Sequence, residues 1–525
     1  EIDDLPIGHR LLGVIAYLTE DLAESRRCYE AAFRGFRDRG EACSAARVAI
    51  ELAELHEESL GNHAAARGWL ERARRLLDRV GPCVEWGYLE LASLACFRPD
   101  AVALQASADR ALAIAMEFGD HDLEVRALAD GGLALVTRGH IREGFARLDE
   151  AMAALAAGEV DDGGIAGRSF CALLTSCDRV GDVARAEEWM QIVEQVRLGP
   201  LGGRPRALRN HCRVVYGSVL AAAGRWTEAE AALLEVLAPP PSPAIGHVIE
   251  STCHLARVRL EQGRVEEAAS LLAPYEDHYA ACEPLARLHL RTGEPALAAA
   301  VARRGLRELV GDALRSVSLL ARLIEAALAL GDVDGAADAA RTMAELAAAI
   351  DVAPVGAEAA IGAGRVQRAR GDLAAAIASF EAAVRQLVGG WPVVAGAARV
   401  ELAETLALAG DRAAAIAEAR AAAAVFERIG ARSSVDRSAA LLRRLGAVAP
   451  ARSPQSRAAA LASLSVRETE VVRLVRDGCS NADIAARLYI SPKTAEHHVS
   501  RVLAKLGVRT RAEAAALAAT LDPRP

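Results

Sequence analysis

The chain has 525 residues, 52% hydrophobic, 25% charged and 4% aromatic, with a formal net charge of −8. That length suffices for several packed units, abundant alanine without β-branched alternation indicates an all-α protein, and no apolar run reaches the ~18–20 residues that span a bilayer. No signal peptide is visible and the ten cysteines form no CxxC pair, so the expectation is a reducing cytoplasm, cysteines as small apolar fillers, no metal site and no cofactor.

The charge is uneven. From Ala451 onward there are 12 Lys and Arg against 7 Asp and Glu, a net of +5; the preceding 450 residues carry 50 and 63, a net of −13. A basic tail on an acidic body fits a tail that meets a polyanion. Lysine occurs twice, at 493 and 505, both in that tail. The chain opens at Glu1 rather than Met, so further sequence upstream is one expectation.

Along the body a glycine repeatedly opens a short turn, with alanine five positions later. Gly61 leads to Ala66 and Ala73, Gly181 to Ala186, Gly224 to Ala229, Gly263 to Ala268, Gly293 to Ala298 and Gly331 to Ala336. Gly371 leads to Ala376, Phe380 and Ala383, and Gly410 to Ala415 and Ala422. Glycine ends a helix in the left-handed conformation, and alanine lets the next helix pack closely. One helix pair cannot bury its apolar face alone, so pairs stack into a superhelix. The pattern resembles the tetratricopeptide repeat over about residues 20–430, best at Gly371–Ala383 and Gly410–Ala422. That resemblance implies helix-pair architecture and leaves the bound partner open.

Two stretches interrupt the pairs. Gly158–Gly167 (GEVDDGGIAG) is glycine-rich and acidic, and Ala238–Ala244 (APPPSPA) holds four prolines. Both are expected to be loops. Residues 446–460, beginning GAVAPARSPQS, read as a linker between an array at 1–445 and a C-terminal domain at 461–525.

That domain opens with Ser465 and Glu468, a capping box for a helix to about Arg476, which Asp477-Gly478 stops. Asn481 is expected to cap a second helix to about Leu488, with Ile484, Ala485 and Leu488 inward. Tyr489-Ile490 then forms a tight turn. Ser491 caps a third helix with Pro492 in its first turn, and Gly507 ends it. Ala495, Val499, Val502, Leu503 and Leu506 form its apolar stripe. Lys493, Glu496, His497 and Ser500 lie opposite, and Thr494, His498, Arg501 and Lys505 line one flank. In a major groove the first set would meet base edges and the second phosphates. Thr510 and Glu513 cap a last helix, Arg511–Thr520, whose alanine and leucine face suits a symmetric dimer contact.

The strings LSVRETEVVRL, GCSNADIAARL, ISPKTAEHHVSRVLAKLG and VRTRAEA resemble the LuxR-type (GerE-like) DNA-binding domain over about Leu464–Thr520. The resemblance implies a four-helix domain with its recognition helix, 491–506, in the major groove of double-stranded DNA, and homodimers on inverted repeats. It places base contacts near Glu496, His497 and Ser500, and phosphate contacts near Lys493, Thr494, Arg501 and Lys505, with Asn481 counted in the same set. Glu at 496 departs from the lysine often found there; a carboxylate repels phosphate but accepts from cytosine N4.

No G-x-x-x-x-G-K-[ST] string occurs, and neither H-E-x-x-H nor G-x-S-x-G, so no catalytic residue is assigned and no enzyme is expected. The leading expectation is a transcription regulator whose array binds a small-molecule or protein effector. The alternatives are an interaction scaffold tethered to DNA, and the C-terminal piece of a MalT-like regulator whose ATPase lies upstream.

Overall fold

The computed structural model describes residues 5–95, 100–195, 206–239, 241–242, 244–350, 352–387, 391–447, 464–506, 508 and 510–518. They form α-helices with short 3₁₀ and π segments, and no strand occurs among them. Contacts divide the chain into two units, Glu1–Asp411 and Arg412–Pro525.

The first unit is a succession of antiparallel helix pairs. These are α1 (Pro6–Leu18) with α2 (Leu22–Asp38), α3 (Ala42–Glu54) with α4 (His63–Leu77), α5 (Glu85–Ala95) with α6 (Ala101–Phe118), and α7 (His121–Arg138) with α8 (Ile141–Ala157). Next come α9 (Gly163–Val180) with α10 (Val183–Gln195), α11 (Arg206–Ala222) with α12 (Trp226–Leu237), α13 (Ile245–Glu261) with α14 (Val265–Leu272), and α15 (Cys282–Thr292) with α16 (Pro295–Glu308). Then α17 (Ala313–Ala329) pairs with α18 (Val333–Ala349) and α19 (Ala353–Ala369) with α20 (Leu373–Gln386), and α21 (Pro392–Leu408) follows. From α3 to α21 each odd-numbered helix also packs on the next odd one, so these helices form a continuous layer.

The glycine turns take the conformation the sequence predicts. Gly61, Gly181, Gly224, Gly263, Gly293, Gly331, Gly371 and Gly410 all have positive φ. The alanine five positions after each is fully buried, at 0% exposure. Several turns are reinforced by an aspartate N-cap: Asp332 accepts from the Gly335 N–H and Asp372 from the Ala375 N–H, which satisfies donors that a helix start leaves unpaired.

The glycine-rich stretch 158–167 departs from expectation. Only its first part is a loop; α9 begins at Gly163. Asp162 caps it by accepting from the N–H groups of Gly164 and Ile165, and Ile165 is buried. The cap and the burial outweigh glycine's poor helix propensity. The proline stretch does connect α12 to α13, with residues 240 and 243 outside the described set.

The first unit folds back on itself. Asn210 and Ser242 donate to the Glu20 carboxylate, 190 and 222 residues away. Arg179 pairs with Asp312 at 2.7 Å, and turn glycines Gly61, Gly139 and Gly181 abut Ile245, Ile350 and Trp391. The later helix pairs therefore stack on the earlier ones. Buried charges within the odd-helix layer are paired: Arg365 bridges Glu325 and Glu401, and Arg368 also binds Glu401.

The second unit opens with the pair α22 (Arg412–Ile429) and α23 (Arg432–Arg444). The stretch read as a linker lies outside the described residues from 448 onward. Four helices follow: α24 (Val466–Arg476), α25 (Asn481–Leu488), α26 (Pro492–Leu506) and α27 (Arg511–Ala518). They share a core of Val471, Val472, Val475, Ile484, Val502, Leu506, Ala514 and Ala518, each at most 3% exposed.

Candidate nucleic-acid interface

The four C-terminal helices begin with strong local signals. Ser465 and Glu468 form a reciprocal capping box at α24, and Gly478 follows its end at φ 77°. The cap of α25 is Ser480 rather than Asn481. The Ser480 hydroxyl accepts from the Asp483 N–H, and the Asp483 carboxylate accepts from the Ser480 N–H at 2.8 Å. The Ser480 hydroxyl also donates to the Asp483 carboxylate at 2.6 Å, and this bond, with the one from the Ser480 N–H, lowers the pKa of Asp483. The S-x-x-D box pairs two backbone donors reciprocally, so Asn481 moves to the first helical position.

Freed from capping, the Asn481 amide oxygen accepts from Arg511 at 2.7 Å. The same guanidinium donates to the Cys479 carbonyl. Arg511, the first residue of α27, thus fixes the start of α25. On the other side of α25, Arg467 donates to the Leu488 carbonyl at 2.6 Å. Sequence spacing carries no hint of either contact, because both depend on how helices distant in sequence fold together.

Between α25 and α26, Tyr489 takes a left-handed conformation at φ 54°, and the Ile490 N–H returns to the Ala485 carbonyl. The Tyr489 ring is 96% exposed. Ser491 then caps α26, accepting from the Thr494 N–H at 3.1 Å, and the two hydroxyls lie 2.7 Å apart.

The two faces of α26 separate as the spacing predicts. Ala495, Val499, Val502 and Leu506 are buried, and Leu503 packs partly against them. Lys493, Thr494, Glu496, His497, Ser500 and Arg501 are all exposed. His498, expected on the flank, is half-buried. The Lys505 side chain, Gly507 and the last two residues of the helix expected at Arg511–Thr520 lie outside the described residues. The result is a polar ridge with both charge signs on a helix whose back is locked into a core, a form that fits a major groove.

Comparison with known proteins agrees with this geometry. The family model for bacterial regulatory proteins of the luxR family (GerE) matches residues 462–518. A Mycobacterium bovis protein described as an HTH-type transcriptional regulator, Mb0914c, is 51% identical over 51 residues, 10% of this chain and 6% of that protein. The transcriptional regulatory protein DegU of Brevibacillus brevis is 49% identical over 51 residues, 10% of this chain and 22% of that one. The chain thus spans only a small part of the length of these relatives. Among solved structures, the APC/C hetero-tetramer Cut9-Hcn1 aligns with 83% of this chain and 97% of that chain, at a TM-score of 0.38 and 12% identity. Residues 462–518 match the GerE-type helix-turn-helix domain of the luxR family of bacterial regulatory proteins, joined in one chain to an array of antiparallel helix pairs.

Proposed function

We propose that the chain is a sequence-specific, DNA-binding transcription regulator acting in the cytoplasm, without catalytic activity of its own. In this reading α26 enters the major groove of double-stranded DNA. Glu496, His497 and Ser500 face base edges, while Lys493, Thr494, Arg501 and Lys505 contact phosphates. Asn481, held by Arg511, presents its amide beside them. Two copies pair through α27 and read an inverted repeat with half-sites one helical turn apart. The array receives a small-molecule or protein effector and alters DNA binding or dimerisation.

The observation that carries the reading is the exposed polar ridge of α26 over its buried stripe, within a segment that matches the luxR family. Genome-wide binding-site mapping with the intact protein tests it. An inverted-repeat motif preferred by at least about tenfold over unrelated DNA supports it. Binding without sequence preference leaves the protein a DNA-tethered scaffold.

A further inference from the structure

Cys43 and Cys83 are forty residues apart and fit no metal-binding spacing, yet the fold brings them together. Their sulfurs and a carboxylate oxygen of Glu85 all lie within 4.8 Å of one another. We infer that Cys43, Cys83 and Glu85 form a zinc-binding clip that ties α3 to the loop entering α5.

The local structure holds all three ligands. Cys43 is the second residue of α3, whose N-cap, Glu41, makes no side-chain cap. Glu85 is the first residue of α5. Both lie at helix N-termini, where the backbone favours anionic ligands. The loop between α4 and α5 is a defined turn: the Trp86 indole N–H donates to the Gly81 carbonyl at 3.1 Å, and the Gly87 N–H to the Val84 carbonyl at 2.9 Å. Cys83 is therefore already in place before any ion binds.

The donor set selects the ion. Zinc binds thiolate at about 2.3 Å and carboxylate at about 2.0–2.2 Å, which places tetrahedral ligand atoms about 3.5–3.8 Å apart. The three ligand atoms, all within 4.8 Å of one another, lie near that spacing. Two thiolates exclude magnesium and calcium, which prefer all-oxygen shells. All three residues are half-buried, so a fourth position stays open to water. Six other cysteines, Cys28, Cys177, Cys212, Cys253, Cys282 and Cys479, are buried; Cys28 donates to Glu24 and Cys282 accepts from Arg304.

The test uses the full chain, purified without chelator and with the thiols reduced. Metal analysis is expected to find one zinc per chain. Titration with Co²⁺ is expected to give a thiolate charge-transfer band and the visible bands of a tetrahedral site. Cys43→Ser combined with Cys83→Ser should abolish both with the helical circular dichroism unchanged. Should that double variant misfold, Glu85→Gln decides, since it keeps both thiols and should weaken zinc at least about tenfold. Equal zinc uptake by wild type and variants, or a cobalt complex without a thiolate band, would each overturn the inference.

Discussion

The indole of Trp391 lies directly over Gly181, so close that a Cβ built on that glycine would sit 1.5 Å from the ring. Gly181 opens the turn between α9 and α10, and Trp391 precedes α21 with φ 55°. Two left-handed residues far apart in sequence thus interlock where later helix pairs stack on earlier ones. A non-glycine residue in that conformation carries strain that its packing must offset.

Gly181→Ala should therefore cost more than the same change at an open turn. At Gly371, also left-handed at φ 83°, an added Cβ would meet nothing within 4 Å. Gly371→Ala should cost about 1–2 kcal/mol, the backbone penalty alone. Gly181→Ala adds a steric clash of about 1–3 kcal/mol. Denaturant midpoints of the two variants, measured side by side, check the order. Equal midpoints would mean the stacked contact contributes nothing.

Glu401 should be among the residues least tolerant of neutralisation. It is 3% exposed and receives both Arg365 and Arg368. Glu401→Gln keeps the shape and leaves two guanidinium groups short of a counter-charge, at a cost of about 3–5 kcal/mol. The exposed Glu381–Arg385 pair is the control, where Glu381→Gln should change stability by less than about 1 kcal/mol. Thermal unfolding of the two variants separates the cases.

The array should weaken in mild acid. Desolvation lowers the pKa of His211 and His247 from 6.5 to about 4 and, with help from Arg257 and Arg315, that of His254 to about 3. Below pH 6.5 the unfolded chain takes up protons that the folded chain refuses. Stability therefore falls as pH drops from 6.5 toward 4, and the loss levels off below about 3. Denaturant midpoints across that range should decline, and His254→Asn should flatten the decline. A pH-independent midpoint between 7 and 4.5 would contradict this.

The parts of the fold that were legible in the sequence are those set locally. Glycine turns, the alanines after them, the capping box at Ser465 and the apolar stripe of α26 each depend on residues within two helical turns. What was not legible depends on distant pieces meeting. Nothing near Gly181 signals Trp391, and nothing near Cys43 signals Cys83 and Glu85. The cap of α25 was misplaced by one residue, because S-N-A-D offers two good capping residues in a row and the reciprocal bond to Asp483 decides between them. For the proposed DNA-contact set, the sequence supplied the exposed face of α26 but not Arg511, whose role arises only when α27 folds back onto α25.

That contact yields the last prediction. Arg511 donates to the Asn481 side chain and to the Cys479 carbonyl, two points that a planar guanidinium can reach together and a lysine ammonium cannot hold in the same geometry. Arg511→Lys should preserve net charge and so leave the salt slope of DNA binding nearly unchanged. It should nevertheless lower affinity, because the start of α25 loses a fixed position relative to α26. The loss should be about 1–3 kcal/mol and similar for all DNA sequences. His497→Ala should do the reverse, altering which bases are preferred with a smaller effect on non-specific binding. Fluorescence anisotropy with a mapped operator and a scrambled duplex, at three salt concentrations, measures both variants. If Arg511→Lys left the affinity for both duplexes intact at every salt concentration, the brace between α25 and α27 would have no part in DNA recognition.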